Sequence, residues 1–451
     1  MKGIFLYTVF SLSSLSLTAQ EVIHRTKLSS TTISKVRGFV LSDGFFLNYH
    51  DNTKLGVYYP LGYQSLIIGK DGAEIPLMIP DLLDKQLVNV VSSNDSLYFY
   101  YLESQKKITR ISAFVLEKKT WKRKDVTQSF VIPEGFIGGR LHKDLFLASV
   151  EKETESLHVS QVHGVELVND ESYQLPKEIF SKIASSAEVI WEGTEVTPFK
   201  AEARIKIYIS QSQIIVSYDE FTGSRGIIHI FRIDRTTKNV STLEIEERTG
   251  HDFRSFVFQD KIYRIGWEKG AVVSVFNMNK ELMSSFRVDK NSSYARERAY
   301  FRIGNSKRVV GDRNVWDALS NAGRIFISVH PFDDSTVILK IGTHHIMASG
   351  PPIIIINPAF MAASLLLRAI TLSFNEQNSR DYYFYLQGNT DHGFSYSNAS
   401  GLVQQKIDNF ELEDPGNVIS YTHKSYLKSD GLGCYGIYQK KHSKELMIVG
   451  F

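Results

Sequence analysis

Apolar residues in this chain come in short continuous runs separated by polar turns. The stretch SNDSLYFYYLESQKKITRISAFVLEKKTWKRK, Ser93 to Lys124, shows the unit: a polar turn, an apolar run from Leu97 to Leu102, a second run from Lys107 to Leu116 that partly alternates, the turn Glu117–Thr120 and a charged tail. Runs this short read as strands, and unbroken apolar character means that both faces of the sheet are covered. The tail Trp121–Lys124 suits an outermost strand whose free edge must not pair with another chain. The predicted order is therefore buried inner strands followed by a protected edge.

The unit recurs. FRIDRTTKNVSTLEI from Phe231 and FNMNKELMSSFRV from Phe276 repeat the strand, polar turn and strand of FVLEKKTWKRKDV from Phe114. The preceding hairpin strand starts near Phe45, Leu97, Leu145, Ile214, Ile262, Ile325, Tyr382 and Cys434, at spacings of 48 to 69 residues. A period near fifty residues with four short strands predicts an all-β chain, specifically a β-propeller of eight four-stranded blades, with seven as the alternative. One propeller domain is expected over 21–451. The longer gaps point to insertions at Leu175–Ser185, Asn291–Gly323 and Gly342–Ile370. The second carries a helix pattern, Val315–Ala322, between Asn314 as N-cap and Gly323 as stop. The third carries another, Ala359–Leu367, opened by Asn357 and Pro358. Ile353–Ile356 adds apolar character there, but Asn357, Pro358 and Arg368 interrupt it, so a buried insertion is expected instead of a membrane span. The last unit shows two strands after residue 430, and Glu21–Lys27 (EVIHRTK) is expected to supply its outer strand. In general appearance the chain resembles exported bacterial β-propeller proteins. That resemblance rests on the period and covers most of the sequence after residue 20. No named repeat motif recurs: the kelch-like pair Gly138–Gly139 and the WD-like pair Trp316–Asp317 each occur once in a blade context.

Composition agrees with a packed globular protein: 451 residues, 43% hydrophobic and 22% charged, with 28 Phe and 22 Tyr favouring strands. Residues 1–20 change the picture. Lys2, the apolar stretch Gly3–Leu17 and the small residues Thr18 and Ala19 before Gln20 form a signal-peptide pattern. Its apolar part is shorter than the roughly 20 residues a span needs, so the expectation is periplasmic or extracellular export without a transmembrane anchor. Cys434 is the single cysteine, so no internal disulfide forms. A net charge of +3 is too small for a nucleic-acid partner.

Candidate motifs are few. Gly431-Leu432-Gly433-Cys434-Tyr435-Gly436 matches GxGxxG, but a strand, a Lys-rich turn and a strand follow it where dinucleotide binding needs a helix. Gly69-Lys70-Asp71 lacks the Ser or Thr of a phosphate loop, and no GxSxG, HExxH or CxxC occurs. No cofactor is expected. His330, Asp333, Asp334, His344 and His345 have the side chains of a metal site, but a returning strand would put His344 roughly 25 Å from the turn at about 3.3 Å per residue, so no metal is expected.

What remains is a ligand surface. In a four-stranded antiparallel blade, turns between strands two and three share a face with the connections between blades. Asp219–Arg225, Trp267–Lys269, His330–Asp334 and Gly388–Gly393 are read as such turns. The Arg-rich segment Tyr294–Arg313 is read as a connection. Trp267, Tyr294, Arg296 and Arg298 would give stacking and charge for a protein or carbohydrate ligand. Asp219, Glu220, Asp391 and His392, with Glu268, are the carboxylates and imidazole that a polysaccharide hydrolase or lyase with a site at the propeller channel would need. A binding or scaffold module is the leading expectation and the enzyme its alternative.

Overall fold

A computed structural model describes residues 21–27, 33–41, 43–51, 63–77, 86–105, 108–133, 135–141, 144–163, 166–192, 196, 198–223, 225–248, 253–267, 270–289, 299–303, 306–310, 324–346, 379–390, 395–399, 403–404, 407, 421–428, 434–440 and 444–450. After β1 (Glu21–Lys27), the strands fall into successive sheets. The first is β2 (Ile33–Leu41), β3 (Gly44–Asp51), β4 (Tyr63–Gly69) and β5 (Glu74–Leu77). The second is β6 (Gln86–Ser92), β7 (Ser96–Gln105), β8 (Ile108–Glu117) and β9 (Lys122–Val131). The third is β10 (Phe136–Leu141), β11 (Leu145–Glu151), β12 (Ser156–His163) and β13 (Glu166–Gln174). Helix α1 (Lys177–Ser186), strand β14 (Glu188–Trp191) and helix α2 (Pro198–Glu202) lead into the fourth, where β14 lies parallel beside β15 (Ile205–Ile209) and β16 (Gln213–Thr222), β17 (Arg225–Asp234) and β18 (Val240–Arg248) follow. The fifth is β19 (Phe253–Phe258), β20 (Lys261–Trp267), β21 (Ala271–Asn277) and β22 (Leu282–Val288). The sixth joins β23 (Ala299–Ile303), β24 (Ser306–Val310), β25 (Ile325–Pro331), β26 (Thr336–Ile346), β27 (Ser379–Asn389) and β28 (Ser395–Asn398). The seventh is β29 (Tyr421–Lys428), β30 (Cys434–Lys440) and β31 (Glu445–Gly450), and β1 pairs antiparallel with β31 as its fourth strand.

Consecutive antiparallel sheets built from neighbouring strands are the blades of a β-propeller. Seven such sheets stand among the described residues. The two units read from Ile325 and Tyr382 are one sheet, because β26 pairs with β27 over eleven residues, Thr336↔Asn389 to Ile346↔Ser379. The connection 347–378 places Tyr382 57 residues after Ile325 and so imitates another period. The helix patterns Val315–Ala322 and Ala359–Leu367 and positions 1–20 lie outside the described residues. In the Leu175–Ser185 region the extra chain is α1, whose Ile179, Phe180 and Ile183 share one helical face and are buried.

The chain divides into two compact units. In the smaller, the first and seventh sheets share a core of Phe45, Leu47, Ile68, Ile437, Leu446 and Ile448, and His24 and Thr26 of β1 both hydrogen-bond Glu74 of β5, at 2.7 and 2.9 Å. The larger unit holds the second to sixth sheets. Its inner strands are buried on both faces: Phe99 of β7 and Phe114 of β8 stack at 4.6 Å, and the third and fourth sheets clamp α1 through Val150, Val159, Ile207 and Val216. Each such aliphatic side chain removed from water contributes about 1.5–3 kcal/mol. Outer strands are wet, as the exposed run of β13 shows. Gly138 of β10 is needed for packing: a Cβ there would lie 2.7 Å from the Val189 Cβ, so only glycine lets β14 come this close.

Candidate functional site

Within the larger unit, strand direction sorts the turns into two faces. One face carries the β11–β12 turn (Lys152–Glu155), the β16–β17 turn at Gly223, the β20–β21 turn before Gly270, and the connections holding α1 and α2. The opposite face carries the β8–β9 turn at Glu117–Thr120. The merger of the sixth sheet moves two predicted loops to the opposite face: the His330–Asp334 turn joins strands one and two of that sheet, and the start of the Gly388–Gly393 turn lies beside it, where Gly388 and Asn389 pair with Val337 and Thr336 and Thr390 donates to the Ser335 carbonyl. There Asp333 closes the turn by accepting the backbone N–H groups of Ser335 and Thr336, at 3.0 and 2.7 Å.

Trp267 ends β20 on the connection face and is half-buried. Asp219 and Glu220 lie in strand β16, before the turn to which the sequence assigns them. Asp219 is fully buried: its carboxylate accepts the Ser255 N–H at 2.8 Å and the Ser255 hydroxyl at 2.5 Å, and the Lys206 ammonium stands 3.6 Å away. Glu220 is tied to His229 Nε2 at 2.9 Å, while His229 Nδ1 meets Glu244 at 2.9 Å. Glu268, Tyr294, Arg296, Arg298, Asp391 and His392 lie outside the described residues.

Asp219 is one end of a polar chain, buried except at Arg324, that the sequence does not reveal. Next to Ser255, Arg254 donates to the Glu202 carbonyl at 2.5 Å. The Glu202 carboxylate of α2 meets Arg324 at 3.3 Å, and the Arg324 carbonyl accepts the His344 N–H at 3.0 Å. His344 Nδ1 in turn pairs with Asp381 at 2.6 Å, and Phe199 of α2 lies edge-on to the imidazole with ring centroids 6.0 Å apart. His344 Nε2 is buried and has no hydrogen-bond partner among the described residues. Burial pushes the Lys206 ammonium down to about 8 although Asp219 pulls it up. Most charges in this chain face an opposite charge or a carbonyl, which is how buried ions are tolerated in a scaffold.

The same face of the larger unit holds a cleft of about 830 Å³ in the third sheet. Its rim is Lys152 and Glu153 of the β11–β12 turn, Pro133 of the β9–β10 connection and Ile137 of β10 form a wall, and Glu151, His158, Ser160 and Asp170 form its polar floor. Thr154 donates to Glu151 at 2.5 Å and meets Ser156 at 2.6 Å, and Ser156 meets His158 Nε2 at 2.9 Å. On the other side Ser160 donates to Asp170 at 2.8 Å. The Thr154 hydroxyl holds the Glu151 carboxyl below the usual carboxylate range. The sequence did carry a sign of this floor: in SLHVS the polar Ser156, His158 and Ser160 alternate with Leu157 and Val159, which gives a strand in a two-sided blade one polar face.

Fold and site together define a β-propeller with a polar cleft on its connection face. No family model matches the chain, and no curated protein sequence matches it. A similar solved structure is the β-propeller domain of the trilobed protease from Pyrococcus furiosus, described as having an open velcro topology. The two are 8% identical, with 81% of this chain and 93% of that chain covered and a TM-score of 0.29. A likeness of that size adds nothing to the fold, which rests on the strand pairing. Among the described residues no helix is long and apolar enough to cross a membrane.

Proposed function

We propose that this protein is an exported β-propeller that serves as a binding or scaffold module and takes a protein or glycan on its connection face. The observation that carries this reading is the cleft beside the β11–β12 turn, an open, polar hollow on the face where loops and helices gather. Rigid sheets that present variable loops are a common recognition scaffold. Export is supported by the Lys2, Gly3–Leu17 and Thr18-Ala19-Gln20 pattern. The test is capture of partners from envelope extract and culture supernatant with the mature protein. Substituting Trp267, Arg296 and Arg298 by Ala is expected to weaken capture, whereas altering the opposite turn at Lys119 leaves it intact. The reverse result rejects the assigned face.

The polysaccharide hydrolase or lyase reading has one observation behind it, the His344 imidazole oriented by Asp381, with Nε2 unpartnered among the described residues. Loss of any polysaccharide-cleaving activity in His344→Gln would favour it.

A further inference from the structure

We infer that the cleft of the third sheet is a subsite for a neutral, hydroxyl-rich carbohydrate. This deepens the glycan branch of the proposed function and rests on it. Four features of the cleft select the ligand.

Size is the first. At about 830 Å³ the hollow falls in the upper part of the roughly 300–1,000 Å³ range of small-ligand sites, so it suits several linked sugar rings better than one.

Preorganisation is the second. The run Glu151, Thr154, Ser156, His158 is already hydrogen-bonded end to end, and Asp170 is held by Ser160. A ligand therefore need not order these side chains, which lowers the entropic cost of binding.

Third is the balance of donors and acceptors. Each carboxylate offers about four lone-pair sites, and the bonds named for Glu151 and Asp170 leave acceptor positions on both. Sugar hydroxyls donate to such positions and accept from a hydroxyl or an imidazole N–H. Among the described lining residues an anionic ligand would meet Glu151, Glu153 and Asp170 against the one ammonium of Lys152. A bare cation fits no better. The His158 ring stands between the two carboxylates, 3.4 Å from Glu151 and 3.9 Å from Asp170, so an ion bridging them would have to displace it. Among the described residues no cluster has the makings of a metal site.

Fourth is the wall. Pro133, Ile137 and Ala184, none of them fully buried, put carbon surface beside the polar floor, the pairing that matches the C–H face and hydroxyl rim of a sugar ring.

The experiment is titration calorimetry of the mature protein with neutral tetrasaccharides of glucose, xylose, mannose and galactose, a tetragalacturonate and a chitosan tetramer. Binding of at least one neutral tetrasaccharide is expected. It should weaken about tenfold or more in Asp170→Asn and in Glu151→Gln, since each loses one charge-assisted acceptor. Glu151 is half-exposed, so its variant reports on binding without a folding defect, and Lys119→Ala on the opposite face is the unaffected control. Three results overturn the inference: neutral binding unchanged in both cleft variants, preference for the uronate or the amine, or no binding of any tetrasaccharide. If a protein partner is captured in that last case, the inference fails while the broader binding reading stands.

Discussion

Severing the clasp between the third and fourth sheets of the larger unit should cost stability in a pH-dependent way. Glu171 of β13 receives the Arg235 guanidinium as a fork, Nε to Oε2 at 3.0 Å and Nη2 to Oε1 at 2.8 Å, and Arg235 also donates to the Ser210 carbonyl at 2.7 Å. Burial alone would raise the Glu171 carboxyl, but Arg235, the Tyr173 hydroxyl and Asn169 overcome it and hold it down to about 2 from 4.5. At about 1.36 kcal/mol per pH unit that drop sets a ceiling near 3 kcal/mol. The side chains keep 16% and 18% exposure, so water screening reduces the expectation to about 1–2 kcal/mol. Because the folded pKa is depressed, the contribution is complete above the unfolded value near 4.5 and disappears as pH falls toward 2. The assay is a double-mutant cycle of Glu171→Gln and Arg235→Ala by urea unfolding. At pH 7 the coupling should be about 1–2 kcal/mol, and at pH 3 clearly smaller. A coupling under about 0.3 kcal/mol at pH 7, or one that does not change with pH, refutes the reasoning.

Gly138→Ala should destabilise by about 1–3 kcal/mol in urea unfolding, because the new Cβ meets Val189 at 2.7 Å. Lys206 titrates near 8 when folded against 10.5 unfolded, so the folded state binds fewer protons between those values and stability should rise with pH across that window. Thermal melts of Lys206→Met should lack this rise. Deleting 21–27 removes the strand paired to β31 and both hydrogen bonds to Glu74, so the melting temperature should fall well beyond the effect of trimming loose terminal residues. N-terminal sequencing of the native protein should begin at Gln20 or Glu21, and an N-terminal Met1 would contradict export with cleavage.

Much of the blade plan was legible because strand and turn chemistry are local. The predicted starts near Phe45, Leu97, Leu145, Ile214, Ile262 and Cys434 fall at the beginnings of β3, β7, β11, β16, β20 and β30. The three hairpins of similar sequence share a turn geometry: Trp121, Lys238 and Lys280 each take a positive φ, at 54°, 60° and 69°. In two of them the side chain that opens the turn caps it, Asp234 accepting the N–H groups of Thr236 and Thr237, and Asn277 those of Asn279 and Glu281. Non-local pairing was not legible. Nothing near Tyr382 says that β27 returns to β26 across a long connection. The site suffered in the same way. YDEFTGSR reads as a polar turn, yet Asp219 is held in the core by Ser255, 36 residues away, and by Lys206. His344 and Asp381 meet only because β26 and β27 pair.

The most direct test of ligand recognition on the connection face is backbone hydrogen exchange of the mature protein with and without the partner recovered from envelope extract. Slowed exchange is predicted at 132–137 and Lys152–Glu155, with no change at Glu117–Thr120 and Phe332–Ser335. Protection confined to those last two turns would contradict the account.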